Sequence, residues 1–226
     1  HSKDLPKQFL RIHGKPIIAW TIGVFEKTPC IDNVVVVCNA NWLDYCQSII
    51  SEFSLNKVRA VVAGGETGQL SIHNGLLAAA KLSDPKKTVV LIHDGVRPLI
   101  DAGTIERNVA SVEEFGSSIT CVKAKETILV KADEVEIVPR ENVLLARAPQ
   151  GFWLSDILAA HKMALDAGET GCIDSATMMK AQGNDLHLIV GPDENIKITT
   201  QDDYYSMRSI LDSRENNQLY AEGEDE

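Results

Sequence analysis

Thr88-Val89-Val90-Leu91-Ile92-His93-Asp94-Gly95-Val96-Arg97-Pro98 joins two kinds of sequence. Residues 88–93 form a short, unbroken, β-branched run, the pattern of a strand buried on both faces, as in a parallel sheet. A carboxylate, a glycine, an arginine and a proline follow at once and end it. In an open α/β sheet, ligands bind beyond the carboxyl ends of strands, which is where Asp94 and Arg97 fall. An aspartate there can hold Mg²⁺ or a hydroxyl, and an arginine can clamp a phosphate through two parallel hydrogen bonds. A strand-end turn with an internal Asp–Arg pair is the plainer alternative.

Outward from this point the same rhythm repeats. Residues 33–38 (NVVVVC) are a second strand of this kind, and residues 58–63, 118–122 and 186–190 are weaker ones. Between them Ile18, Ile22 and Phe25 recur at helical spacing, as do Ile72, Leu76 and Ala79, and Ile105, Val109 and Val112. Thr200-Gln201-Asp202-Asp203 reads as a capping box that opens a last helix, with Tyr204, Met207 and Leu211 on one side. Strand–helix alternation predicts a doubly wound, Rossmann-like α/β fold, with a mostly parallel sheet and helices on both faces. Residues 125–147 break the alternation: β-type pieces flank the polar turn Lys131-Ala132-Asp133-Glu134, which predicts a protruding hairpin arm. The expected organisation is one domain over residues 1–212 with a solvated, disordered acidic tail over 213–226.

Composition narrows the function. The chain has 226 residues, 44% apolar and 24% charged, enough for one real core. No apolar run is long enough to span a bilayer, and no secretory signal opens the chain. Five scattered cysteines without a CxxC pair indicate neither a disulfide framework nor a zinc site, so a reducing cytoplasm is expected. The net charge is −10, half of it in the last twelve residues, ENNQLYAEGEDE. An acidic body argues against nucleic acid as a partner; an anionic ligand must be met by a few placed cations and backbone amides.

Two further stretches can carry chemistry. Gly64-Gly65-Glu66-Thr67-Gly68-Gln69-Leu70-Ser71 lies between a strand pattern and a helix pattern, where backbone amides and a helix N-terminus attract anions; a flexible turn is the bland reading. In Asn195-Ile196-Lys197-Ile198-Thr199-Thr200, Lys197 points opposite to its apolar neighbours, as a solvated residue or as a charge aimed at a cleft. His13, His73, His161 and His187 have no metal-ligand spacing, Met178 and Met179 read as core filler, and the three tryptophans are too dispersed to stack bases.

Taken in order, PKQF-L-x-I-x-GKPI, GG followed by S-I-x-x-GL, HDxVRP, PQ-x-F and NIKITT-x-DD resemble the motif set of the cytidylyltransferases that act on 2-C-methyl-D-erythritol 4-phosphate. A sister group acting on D-ribitol 5-phosphate has nearly the same set. The resemblance runs from about Leu5 to about Leu211. It implies a nucleotidyltransferase that uses CTP and Mg²⁺, with Asp94 facing the metal. Lys7 and Lys197 match the lysines that brace the α-phosphate, and Gly64, Gly65 and Ser71 match the nucleotide loop. Arg97 matches an acceptor-binding residue. The arm implies a homodimer, with Thr127 and Arg140 matching positions that bind the acceptor phosphate. Family members begin with a buried strand and a glycine-rich loop, which the resemblance places ahead of His1, so that Lys7 ends a nucleotide loop.

Departures bear on the acceptor. Gly68 stands where the family usually has arginine, and Ala148 and Ile173 stand where methylerythritol enzymes have threonine. Loss of two hydroxyls changes how an acceptor is held. Methylerythritol phosphate, for isoprenoid precursors, is the first expectation and ribitol phosphate, for cell-envelope polymers, the second. A nucleotide-binding module without catalysis is the alternative of another class. A dinucleotide oxidoreductase has no GxGxxG to support it.

Overall fold

The computed structural model describes residues 5–131 and 134–221. A small antiparallel pair, β1 (Arg11–Ile12) and β2 (Lys15–Pro16), leads into α1 (Ile17–Lys27). Then come β3 (Val34–Cys38), α2 (Leu43–Glu52), β4 (Val58–Ala63), α3 (Gly68–Ala79), β5 (Val89–Ile92) and α4 (Ala102–Phe115). The second half is β6 (Ser117–Lys123), β7 (Ile128–Lys131), β8 (Val135–Val138), β9 (Leu144–Trp153), α5 (Leu154–Asp166), α6 (Ser175–Ala181), β10 (Leu188–Val190) and α7 (Gln201–Ala221). Every predicted strand and helix has its counterpart.

The sheet is mixed, not mostly parallel. β10 and β6 are parallel, as are β3 and β4, but β9 runs antiparallel between β6 and β5, giving the order β10-β6-β9-β5. The reason lies in the arm: β7 and β8 form the expected hairpin, and the chain returns from it straight into the core as β9. Pro149 and Gly151 interrupt β9 and hide it from a search for β-branched runs. Gly151 is required by strand packing, since a Cβ there would lie 2.4 Å from Ser118 Oγ and 2.7 Å from Leu91 Cδ2.

Helices cover both faces. Along β6, Ile119 packs with Phe152, Ile157 and Met178 of β9, α5 and α6, while the next residue, Thr120, meets Asn108 of α4 at 2.9 Å. Asp101 caps α4 by accepting from the Thr104 amide at 2.7 Å, and Gly116 ends it at φ 84°.

Between the edges of β3 and β5 lies a cavity of about 1190 Å³, walled by Val34–Val37 on one side and Val89–Ile92 on the other. Among the described residues β3 pairs only with β4 and β5 only with β9, so their other edges face this space.

The C-terminal region corrects one expectation. α7 does not stop at residue 212 but continues to Ala221; residues 222–226 lie outside the described residues. The capping box forms, with the Thr200 amide donating to Asp203 Oδ2 at 2.7 Å and the Asp203 amide to Thr200 Oγ1 at 3.2 Å. Arg214 then bonds Glu194, and His13 lies 2.7 Å from Asp212, tying the later turns to the body.

Candidate active site

β5 ends at Ile92, and the chain turns immediately: the Arg97 amide donates to the Asp94 carbonyl at 3.0 Å. This turn presents the Asp94 carboxylate to two cations. Lys197 Nζ lies 2.8 Å from Oδ1 and Arg97 Nε 2.8 Å from Oδ2. Burial works against the Asp94 charge, but hydrogen bonds from Lys197 and Arg97 outweigh it and hold the carboxyl below its ordinary range. The 195–200 segment runs beside the turn, with the Ile198 amide on the Val96 carbonyl at 2.9 Å. Ile198 is buried and Lys197 exposed, the alternation read from the sequence, although the segment lies in no sheet. Lys7 Nζ reaches the Thr199 carbonyl at 2.9 Å, which ties a lysine from the start of the chain to the segment that carries Lys197.

Two cations, Lys197 and Arg97, therefore share one carboxylate, and Lys7 adds a third positive charge on the Thr199 carbonyl, two residues beyond Lys197. That excess suits a polyanion. His93 stands behind them, its Nε2 at 3.1 Å from the Arg97 carbonyl, and burial pushes its pKa down to about 4. It is neutral at physiological pH and supports the turn rather than carrying charge.

The glycine loop closes the other side. The Gly64 amide donates to the Cys38 carbonyl at 2.8 Å, and the Gly65 amide to Ser71 Oγ at 3.0 Å. Ser71 Oγ in turn donates to the Thr67 carbonyl at 2.9 Å, so this hydroxyl holds the loop's shape. A Cβ on Gly65 would come within 2.4 Å of Leu70 Cβ, so the loop can lie against α3 only with glycine there. A Cβ on Gly68 would meet open space, so a longer side chain would fit there. Gly64, Gly65, Ser71 and Asp94 all line the large cavity.

Thr127 and Arg140 are not part of that gathering. Both are exposed on the arm, neither lines the cavity, and Arg140 Nη1 donates to the Lys125 carbonyl at 3.0 Å. Ile173, 91% exposed, stands clear of the core.

The structure adds residues that sequence reasoning passed over. Asn195 is fully buried; its Nδ2 donates to the Ala148 carbonyl at 2.7 Å, and its carbonyl receives Arg97 Nη1 at 2.9 Å. It was visible only as a letter in the NIKITT motif. Gln150, in PQ-x-F, bonds the Asp174 carboxylate at 2.9 Å and the Ala176 amide at 2.9 Å, fixing the start of α6. Arg147 had no signal in the sequence.

The residues present fit a cation only in a limited way. Among the described residues no group of three or more potential ligands surrounds a point, and Asp94 is the one carboxylate at the centre. Mg²⁺ commonly takes one or two carboxylates and completes its shell with substrate phosphates and water, so Asp94 fits a cation carried mainly by a nucleotide.

Comparison with known proteins decides the family. The family model "IspD: 2-C-methyl-D-erythritol 4-phosphate cytidylyltransferase" matches residues 1–213. The chain belongs to this cytidylyltransferase family. A ribitol-5-phosphate cytidylyltransferase of Streptococcus agalactiae serotype III (strain NEM316) is 51% identical over 224 residues, covering 98% of this chain and 93% of the relative. A 2-C-methyl-D-erythritol 4-phosphate cytidylyltransferase of Geotalea uraniireducens is 40% identical over 215 residues, covering 93% and 90%. The crystal structure of 4-diphosphocytidyl-2C-methyl-D-erythritol synthase from Anaerococcus prevotii DSM 20548 superposes with a TM-score of 0.81 at 26% identity, covering 93% of this chain and 92% of that one. As a family member the chain is a nucleotidyltransferase that uses CTP and acts on a polyol phosphate. No described helix is long and apolar enough to cross a membrane.

Proposed function

We propose that this cytidylyltransferase transfers CMP from CTP to ribitol 5-phosphate, with Lys7, Lys197, Asp94 and Arg97 as its reaction centre. The pairing of Lys197 and Arg97 on Asp94, with Lys7 anchored on the Lys197 segment at Thr199, carries the catalytic reading. An oxygen of the acceptor phosphate attacks the α-phosphorus of CTP in line. The new bond is acceptor oxygen to α-phosphorus; the bond from α-phosphorus to the bridging oxygen breaks, and pyrophosphate leaves with the electron pair. A phosphate monoester is mostly dianionic at pH 7, so no base need remove a proton. Asp94, held below its usual range, and His93, neutral to about pH 4, are poor bases in any case. Catalysis is positioning plus charge stabilisation. Lys7 and Lys197 hold the α-phosphate oxygens as charge develops, and Arg97 orients the acceptor. Gly64, Gly65 and Ser71 shape the nucleotide side. Asp94 would hold Mg²⁺ together with the nucleotide, and the ion would supply further charge neutralisation.

The acceptor reading rests on the relatives and on Ala148. The motif set by itself puts methylerythritol phosphate first. The ribitol enzymes of Streptococcus agalactiae and Vibrio parahaemolyticus are 51% and 44% identical, against 40% for the Geotalea methylerythritol enzyme, which supports the reverse order. Ala148 and Ile173, in place of hydroxyl-bearing threonines, then become part of the specificity.

The arm supports a homodimer in which Thr127 and Arg140 complete the partner's acceptor site. Val135 and Ile137 are 67% and 68% exposed on a two-stranded hairpin, apolar surface that a second copy would cover. The strand and glycine-rich loop implied by the family would lie in the cavity between β3 and β5, whose edges face it. Five free cysteines suit a reducing, cytoplasmic setting.

The test is pyrophosphate release from CTP and Mg²⁺ with each acceptor offered separately, on this chain and on one extended before His1 by the family's strand and loop. Release with ribitol 5-phosphate and not with methylerythritol phosphate is expected. The reverse preference overturns the acceptor; silence with both in the extended protein favours nucleotide binding without catalysis.

A further inference from the structure

Arg97 and Arg147 hold the same turn from two sides. Arg97 Nη1 donates to the Asn195 carbonyl at 2.9 Å and Arg147 Nη1 to the Asp193 carbonyl at 2.8 Å, two residues apart. The compensation of the two charges differs. Arg97 has the Asp94 carboxylate at 2.8 Å. Arg147 is half-buried, and no carboxylate among the described residues lies within 4 Å of it. The carboxylate of Asp193 is engaged by Lys125 at 2.8 Å. Burial first, and then the Arg97 charge, push the Arg147 guanidinium below its ordinary value, with Asp193 opposing. A partly desolvated cation beside a second cation is unfavourable unless an anion joins them. Arg147 also borders a cavity of about 300 Å³ at the root of the arm, shared with Lys123 and Lys125. This is the small end of the range of ligand pockets.

We propose that Arg147 is an acceptor-binding residue, which with Arg97 grips the phosphate of the polyol phosphate. This rests on the polyol phosphate reading above and adds a residue that the family motifs did not indicate. A guanidinium fork suits the task, because it can give two parallel hydrogen bonds to phosphate oxygens while its other nitrogen stays on Asp193.

The test is binding of ribitol 5-phosphate, inorganic phosphate and CTP, each by calorimetry, to the wild type, Arg147→Gln and Arg147→Lys, with melting curves to verify folding. The expected result is a loss of 10-fold or more in affinity for ribitol 5-phosphate and phosphate in Arg147→Gln. Arg147→Lys should recover part of it, and CTP affinity should change less than 2-fold. Equal affinity of wild type and Arg147→Gln for phosphate overturns the proposal. So does an equal loss for CTP and polyol phosphate, the mark of a residue that only braces the turn leading to Lys197. A wild type that binds no phosphate overturns it too. If wild-type protein binds phosphate through Arg147 yet transfers CMP to neither acceptor, the functional reading fails and the anion site stands.

Discussion

Asp94 places one carboxylate between two cations, and its removal separates the roles of the group. Asp94→Asn keeps the shape but leaves Lys197 and Arg97 without their counter-charge. A fall in kcat/KM of about 100-fold, with a melting temperature within a few degrees of wild type, is the expected outcome in a pyrophosphate assay. Other residues add to the pH dependence of stability that a depressed Asp94 carboxyl brings. His161 is 1% exposed, stacks on His73 with ring centroids 5.4 Å apart, and burial pushes its pKa down to about 4. Both its ring nitrogens lack partners among the described residues. Its unfolded value is about 6.5, so between about pH 6.5 and 4 the unfolded chain binds more protons and stability falls as pH falls. His161→Leu should flatten that fall, with a gain of up to about 3 kcal/mol at pH 4.5 in urea unfolding and little loss at pH 8. Asp203 acts lower: amide hydrogen bonds from Thr199 and Thr200 hold it to about 2, so its contribution is present above its unfolded value near 3.9 and is lost as pH falls through about 2. At this scale Lys7, Lys197, Asp94 and Arg97 were legible because each sits in a motif with its own chemistry. Arg147 was not, because an arginine in a strand is ordinary until Arg97 and Asp193 are seen beside it.

Elements carry the site by their ends. β5 delivers Asp94, the loop before α3 delivers Gly64 and Gly65, and the run into α7 delivers Lys197. Gly65→Ala meets Leu70 backbone at 3.1 Å as well as its side chain, so the loop must move. A rise in the KM for CTP of 10-fold or more, with a destabilisation of about 1–3 kcal/mol, is expected. Asp101→Ala is the contrasting case. It removes the α4 cap, whose hydrogen bonds go to Thr104 and not to the reaction centre, and should cost about 1 kcal/mol in denaturant unfolding with unchanged kcat. The capping box at Thr200 and the strands at residues 33–38, 58–63 and 88–93 were legible, since periodicity and caps are local. β9 was not: its place between β5 and β6 is a long-range pairing, and its Pro149 and Gly151 are explained only by neighbours such as Ser118 and Leu91. The helical course of α7 beyond residue 212 was masked by an acidic composition that reads as solvated, whereas Arg214 finds Glu194 on the body.

Over the whole molecule, one chain gathers the nucleotide side and leaves the arm outside. Thr127 and Arg140 stand exposed on the arm and do not line the large cavity. Ile137→Lys, on the exposed arm, is expected to give a monomer by light scattering and to raise the acceptor KM while leaving CTP binding intact; an unchanged dimer would move the interface elsewhere. The parallel strand–helix rhythm revealed the fold class, but the mixed order of the sheet depends on how the arm re-enters the core, which no local pattern encodes. Charge placed by Lys197 at the Asp94 turn is proposed to drive the transfer step itself. The most direct test is the single-turnover rate of CMP transfer in Lys197→Ala, with CTP, Mg²⁺ and the acceptor all saturating. The expected rate is at least 100-fold below wild type with CTP still bound; a rate equal to wild type would rule out that role for Lys197.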